Sequence, residues 1–171
     1  MNKIVLFFCD IQGTLIGNNI NEENDYVILR DNLSMMGDNV LFSLVSTETK
    51  EIVSHYLDIL SNYFSNNIII GRQYYENGYI YNNKSFEGVS GKCSQIIEYI
   101  TELSKIYDID KVYFADDNKF ICEMVGECIN LVNSNIYYQA IVPSKLDGLK
   151  ELNTLIKDKI NNKEEKIIKF K

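Results

Sequence analysis

A chain of 171 residues, 46% hydrophobic and 24% charged, has the make-up of one globular domain, with room for a second only if both were small. Its net charge of −7 opposes the broad cationic surface that non-specific nucleic-acid binding requires. A single proline argues against disorder, four cysteines without CxxC spacing argue against a zinc site, and no apolar run approaches the ~20 residues of a membrane helix.

The first element is the apolar run at residues 3–9, the pattern of a strand buried on both faces of a parallel sheet. It is too short for a signal peptide and runs straight into Asp10, so the chain reads as cytoplasmic and the sequons at Asn32 and Asn83 as chance matches. Gly13 breaks the run, and a polar turn leads into a helix over 22–36. A second buried strand covers 40–45. Thr47 is the expected N-cap of the next helix, whose apolar residues Ile52, Val53, Tyr56, Leu57, Leu60 and Phe64 fall at helical spacing. A third strand, 67–70, stops at Gly71. Asn77-Gly78 between tyrosines 74, 75, 79 and 81 signals a β-hairpin, whose rings either line a site entrance, contact a second copy of the chain, or simply cover the two hairpin faces.

A helix from Ser90 or Gly91 to about 107 turns Ile96, Ile97, Ile100, Leu103 and Ile106 inward, and a fourth strand, 112–115, ends at Asp116-Asp117. A short helix over 118–125, a fifth strand over 136–142 and an amphipathic helix carrying Leu146, Leu149, Leu152, Leu155 and Ile156 complete the series. Alternating strands and helices predict an α/β fold: one domain over 1–171, core about 3–157, with an open, doubly wound, Rossmann-like parallel sheet of about five strands, helices on both faces and a small hairpin insertion. The charged run at 158–171 reads as a helix end or tail. Ligands of such sheets bind outside the carboxyl ends of the strands, where Asp10, Ser46 and Asp116-Asp117 all fall.

Each residue has a plain reading and a chemical one. Asp10 before Gly13 is an Asx-type turn or a nucleophilic carboxylate. Ser46 and Thr47 are helix-capping residues or donors to a phosphate at a strand-to-helix junction. Lys92 is a solvated surface lysine or the partner of an anion; the P-loop spacing around it is broken. Asp116 and Asp117 are N-cap acids or, with Asp10, an oxygen-rich cluster suited to Mg²⁺.

Taken together, and in this order, Asp10-Ile11-Gln12-Gly13-Thr14, Ser46, Lys92 and Asp116-Asp117 resemble the four motifs of the haloacid dehalogenase-like (HAD) superfamily. Receiver domains use the same residue types in another order, with the acidic pair first and the lysine last. The resemblance, spanning about 3–142, implies a phosphohydrolase or phosphotransferase that forms an aspartyl-phosphate on Asp10. It further implies Mg²⁺ held by Asp10, the Gln12 carbonyl and Asp116, with Asp117 as a further metal contact, and Ser46 and Lys92 on the phosphoryl oxygens. The gaps between motifs are too short for a large cap domain, so an open site acting on a phosphorylated small molecule or macromolecule is expected, and a homo-oligomer is compatible with it. One position departs from the family pattern. Where its phosphatases carry a second Asp as general acid and base, this chain has Gln12, whose amide cannot shuttle a proton. That permits a slow phosphatase, a long-lived aspartyl-phosphate or a domain that only binds phosphate or a partner protein. His55, the single histidine, reads as a partly buried structural residue near Tyr56, and Glu22, Glu23 and Asp25 are the acids nearest after the Gly13 turn.

Overall fold

The computed structural model describes residues 1–74 and 91–161. The Asn77-Gly78 hairpin with Tyr75, Tyr79 and Tyr81, the candidate helix start at Ser90 and the charged run from residue 162 lie outside them. In chain order the elements are β1 (Lys3–Cys9), α1 (Glu23–Ser34), β2 (Val40–Leu44), α2 (Lys50–Ser61), β3 (Ile68–Ile70), α3 (Gly91–Leu103), β4 (Asp108–Ala115), α4 (Lys119–Val132), β5 (Tyr137–Ile141) and α5 (Leu149–Asn161). All pairings are parallel, in the order β3-β2-β1-β4-β5.

The run Ile4–Cys9 is buried throughout because successive side chains of a strand point to opposite faces and both faces are covered. Val5, Phe7 and Cys9 pack with Leu29 and Leu33 of α1, Val53 and Leu60 of α2, and Leu152 and Ile156 of α5. Ile4, Leu6 and Phe8 pack on the other face, with Ile96 and Ile100 of α3 and Val125 and Ile129 of α4. Each large side chain buried here is worth about 1.5–3 kcal/mol. Sliding β1 by one residue would exchange the two sets, so its register is firmly held, and with it the position of Asp10.

The chain winds outward from β1 through β2 to β3, then crosses to β4 and β5 on the other side. The reversal opens a crevice between the carboxyl ends of β1 and β4. Ladder hydrogen bonds continue one residue past the strands: Asp10 N donates to Ala115 O at 2.9 Å, Val45 N to Cys9 O at 2.8 Å and Asp116 N to Ile141 O at 3.1 Å. The first loop residues are therefore held nearly as rigidly as the sheet.

Several boundaries differ from the sequence expectation for identifiable reasons. β4 begins at Asp108 rather than 112, because Ile109 turns into the core between exposed Asp108 and Asp110. α4 continues to Val132 rather than stopping near 125. It passes through Gly126, where a Cβ would stand 2.8 Å from the Tyr138 ring, so the glycine lets helix and strand approach. α3 ends at Leu103, leaving Ile106 exposed rather than inward, and Leu146 is an exposed residue of the loop before α5. The N-cap of α2 is Thr49, whose side chain accepts from Ile52 N, and not Thr47. Cys9, Cys93 and Cys122 are buried and take part in no disulfide among the described residues. Among the described residues no helix is long and apolar enough to cross a membrane.

Candidate functional site

Three distant segments meet at the crevice. Asp10 stands at the end of β1 and Asp116 at the end of β4, both buried. Lys92, in the first turn of α3, extends its ammonium between them, donating to Asp10 Oδ1 at 3.0 Å and Asp116 Oδ2 at 2.8 Å. Its side chain is only 8% exposed, which rules out the reading of a solvated surface lysine. Oxygens of Asp10, Asp116 and Asp117 lie within 4.8 Å of one another. Three carboxylates at that spacing are a hard-oxygen set that can hold a divalent cation.

The turn after β1 is built around this cluster. Gly13 adopts φ +78°, in the left-handed region, and a Cβ there would lie 2.9 Å from Asp117 Oδ2. A residue with a side chain would be strained and would push Asp117 aside, so the glycine is needed twice over. Ile11 O accepts from the N–H groups of Thr14, Leu15 and Ile16, closing a tight loop. The Thr14 hydroxyl, fully buried, donates to Asp10 Oδ2 at 3.5 Å. Asp116 Oδ1 accepts from Asn118 N at 2.8 Å, fixing that carboxylate against the start of α4.

Electrostatics at the cluster are governed by burial. Loss of water raises the Asp10 carboxyl to about 7; the Lys92 ammonium opposes this and the Asp116 carboxylate adds to it. Burial raises Asp116 as well, against the lowering effect of Lys92 and the Asn118 N–H. For Lys92 itself burial disfavours the charge, but the two carboxylates outweigh it and the ammonium is held above its ordinary range. Removing either sign of charge would strand the other in a low-dielectric setting.

The other candidate residues fall unevenly. Ser46 is buried just beyond β2, its hydroxyl accepting from Glu48 N at 3.0 Å, whereas Thr47 is exposed. Gln12 is exposed on the turn that carries Gly13. His55 is exposed and edge-on to Tyr56 instead of partly buried, because it lies on the solvent side of α2. Asp25 caps α1 through Glu22 N and is paired with Lys150 of α5, so it is committed elsewhere. Tyr74 is a core residue, its hydroxyl donating to Gln95 O, and does not line an entrance. Thr14, part of the first motif but given no role in the sequence reading, joins the site through its bond to Asp10, and so does Lys145 in the loop after β5, whose Nζ lies 3.3 Å from Asp117 Oδ2. Lys145 belongs to no motif, though its place just beyond a strand's carboxyl end was the available signal. Cavities of about 390 Å³ at the amino-terminal edge of the sheet, beside Asn2 and Asp38, and about 460 Å³ between α1 and α5, lined in part by Asp25 and Lys150, include none of Asp10, Ser46, Lys92, Asp116 and Asp117.

An all-parallel five-stranded sheet in this order, with helices on both faces, has the HAD-like form of the Rossmann-like α/β architecture. It is similar to the HAD domain of effector protein Lem4 from Legionella pneumophila, with a TM-score of 0.57 and 12% identity over 97% of this chain and 98% of that one. An inactive mutant of the same Lem4 domain gives 0.56 and 13% identity over 99% and 98%. At such identity the likeness is one of fold. No protein family and no curated protein matches the sequence.

Proposed function

We propose that this chain is a magnesium-dependent phosphohydrolase or phosphotransferase in which Asp10 is the nucleophile. The observation that supports it most strongly is the Lys92 ammonium, buried and bonded to both Asp10 and Asp116 where the sheet reverses direction. An ion pair of this kind is costly to bury and adds little net stability compared with apolar packing, so a chemical role is the better account of it.

In this reading an Asp10 carboxylate oxygen attacks phosphorus in line, the bond to the leaving oxygen breaks, and an aspartyl-phosphate forms. Lys92 balances the charge of the nucleophile and, with Ser46 and Thr47, holds the phosphoryl oxygens. Asp10, the Gln12 backbone carbonyl, Asp116 and Asp117 would hold the magnesium ion, which when bound supplies charge neutralisation for the phosphoryl group. The buried Thr14 hydroxyl keeps the Asp10 carboxyl oriented. Water then cleaves the acyl-phosphate bond, regenerating Asp10. The substrate is a phosphorylated small molecule or macromolecule, met in the cytoplasm at an entrance without a cap domain.

Gln12 favours a second reading, a catalytically impaired domain that binds a phosphate group or a protein partner, because its amide replaces a proton donor. Phosphate release from an aryl phosphate with Mg²⁺ separates the two. The first reading expects release by the wild type, its loss in Asp10→Asn, and a gain of about 10²–10⁴-fold in Gln12→Asp. If wild type and Asp10→Asn share one background and only Gln12→Asp turns over, the second reading holds instead.

A further inference from the structure

Charge at the crevice does not balance once a substrate is considered. When all three are ionised, as holding a cation requires, Asp10, Asp116 and Asp117 carry three negative charges and Lys92 one positive charge, so a divalent cation brings the cluster to neutrality. A phosphate monoester arriving as a dianion would restore the imbalance. Among the described residues, one other cation touches the cluster: Lys145, 3.3 Å from Asp117 Oδ2, with its side chain 67% exposed.

The fold goes to some length to hold that ammonium there. Lys145 is the one non-glycine among the described residues with positive φ, at +80°. Its loop is clamped on both sides. Asn18 N donates to Leu146 O at 2.8 Å, and Gly17 and Gly148 bring the two loops so close that a Cβ on Gly17 would lie 2.4 Å from Leu146 O. Upstream, Ser144 donates through N and Oγ to the Glu151 carboxylate at 2.8 and 2.7 Å. Downstream, Leu149 N donates to Asn21 Oδ1 at 3.3 Å, and Asn21 in turn donates to Leu15 O in the turn that follows Asp10. An exposed ion pair returns less stability than a left-handed backbone costs a residue with a side chain, so the Asp117 contact alone does not account for the arrangement.

We propose that Lys145 is the substrate-capturing cation of this site, selecting dianionic phosphate monoesters. This rests on the phosphate-site reading given above. Lys145 is paired with Asp117 at 3.3 Å. When Asp117 turns to a metal ion, its hold on the ammonium weakens, and Lys145 is free to bond an oxygen of the incoming phosphate. The same loop clamp that positions Lys145 is anchored on the turn carrying Gln12 and Gly13, so the ammonium stays at the open rim of the pocket.

Calorimetry on the full chain tests this without relying on turnover. Titration with Mg²⁺ alone, then with orthophosphate in the presence of Mg²⁺, is compared for wild type, Lys145→Met, Lys145→Arg and Lys145→Gly. Lys145→Met is expected to bind Mg²⁺ several-fold more tightly, because the competing ammonium is gone, and orthophosphate about tenfold more weakly. Lys145→Arg restores the phosphate affinity. Lys145→Gly relieves the left-handed backbone, so it folds at least as well as wild type while losing phosphate to the same degree. In turnover of an aryl phosphate the loss appears in kcat/KM and is carried by KM. Equal orthophosphate affinity in wild type and Lys145→Met overturns the inference, as does a wild type that binds no orthophosphate with Mg²⁺. A wild type that binds orthophosphate through Lys145 yet releases none from an ester removes the hydrolase reading and leaves this one in place.

Discussion

With burial holding its carboxyl at about 7, Asp10 is near half-protonated at neutral pH when no metal is present, although a nucleophile must be ionised. The sign of the resulting linkage follows directly. Between the unfolded value of about 3.8 and the folded value of about 7, the folded chain binds the extra proton. Asp10 therefore favours folding at the acid end of that window, and the advantage is lost as pH rises through 7. A cation competing for the same oxygens displaces the proton. Magnesium affinity measured by calorimetry should accordingly weaken on acidification below pH 7, by up to about tenfold per pH unit for one released proton. The rise in melting temperature produced by Mg²⁺ should likewise be larger at pH 8 than at pH 5. A pH-independent affinity would mean that Asp10 is not a ligand. At this scale the sequence was informative about identity but not about setting. Asp10 and Asp116 stood out through their places beside strand ends, and Lys92, at a helix start, through its order between them. Nothing in Gly91-Lys92-Cys93 reveals that the lysine is buried, since that depends on how α3 docks.

Elements carry the site by their ends rather than by their lengths. β1 and β4 deliver carboxylates, α3 an ammonium, and the loop after β5 a second ammonium through its clamp on the turn after β1. That clamp is open to a direct test. Gly17→Ala would place a methyl group 2.4 Å from the Leu146 carbonyl oxygen, a backbone atom that cannot swing away. The substitution should destabilise the chain by about 1–3 kcal/mol in denaturant unfolding, since overpacking must be relieved by shifting one loop. It should also weaken orthophosphate binding, because Lys145 moves with that loop. Element types were legible from hydrophobic period alone, but ends were less so. Thr47 and Thr49 are equally good caps on paper, and only the path of the chain out of β2 decides for Thr49. Gly126 resembles a stop signal, yet the need of Tyr138 for space turns it into a packing site within α4.

Across the whole molecule, β1 is flanked by strands on both sides and covered by helices on both faces, whereas β3 is a three-residue edge strand. Amide hydrogen exchange should show its strongest protection in β1 and appreciably weaker protection in β3. Strand order could not be read from hydrophobicity, because a doubly wound sheet and its permutations share the same alternation of strands and helices. The sequence accordingly predicts a doubly wound sheet without fixing the order of its strands, which the structure supplies. The bridging lysine has one more consequence. Because Lys92 itself compensates two of the three acids, balancing their charge during folding does not call for a cation, whereas a zinc finger is unfolded without metal. On the proposed reading, stripping the ion with a chelator would leave an intact chain, and returning it would require no refolding step.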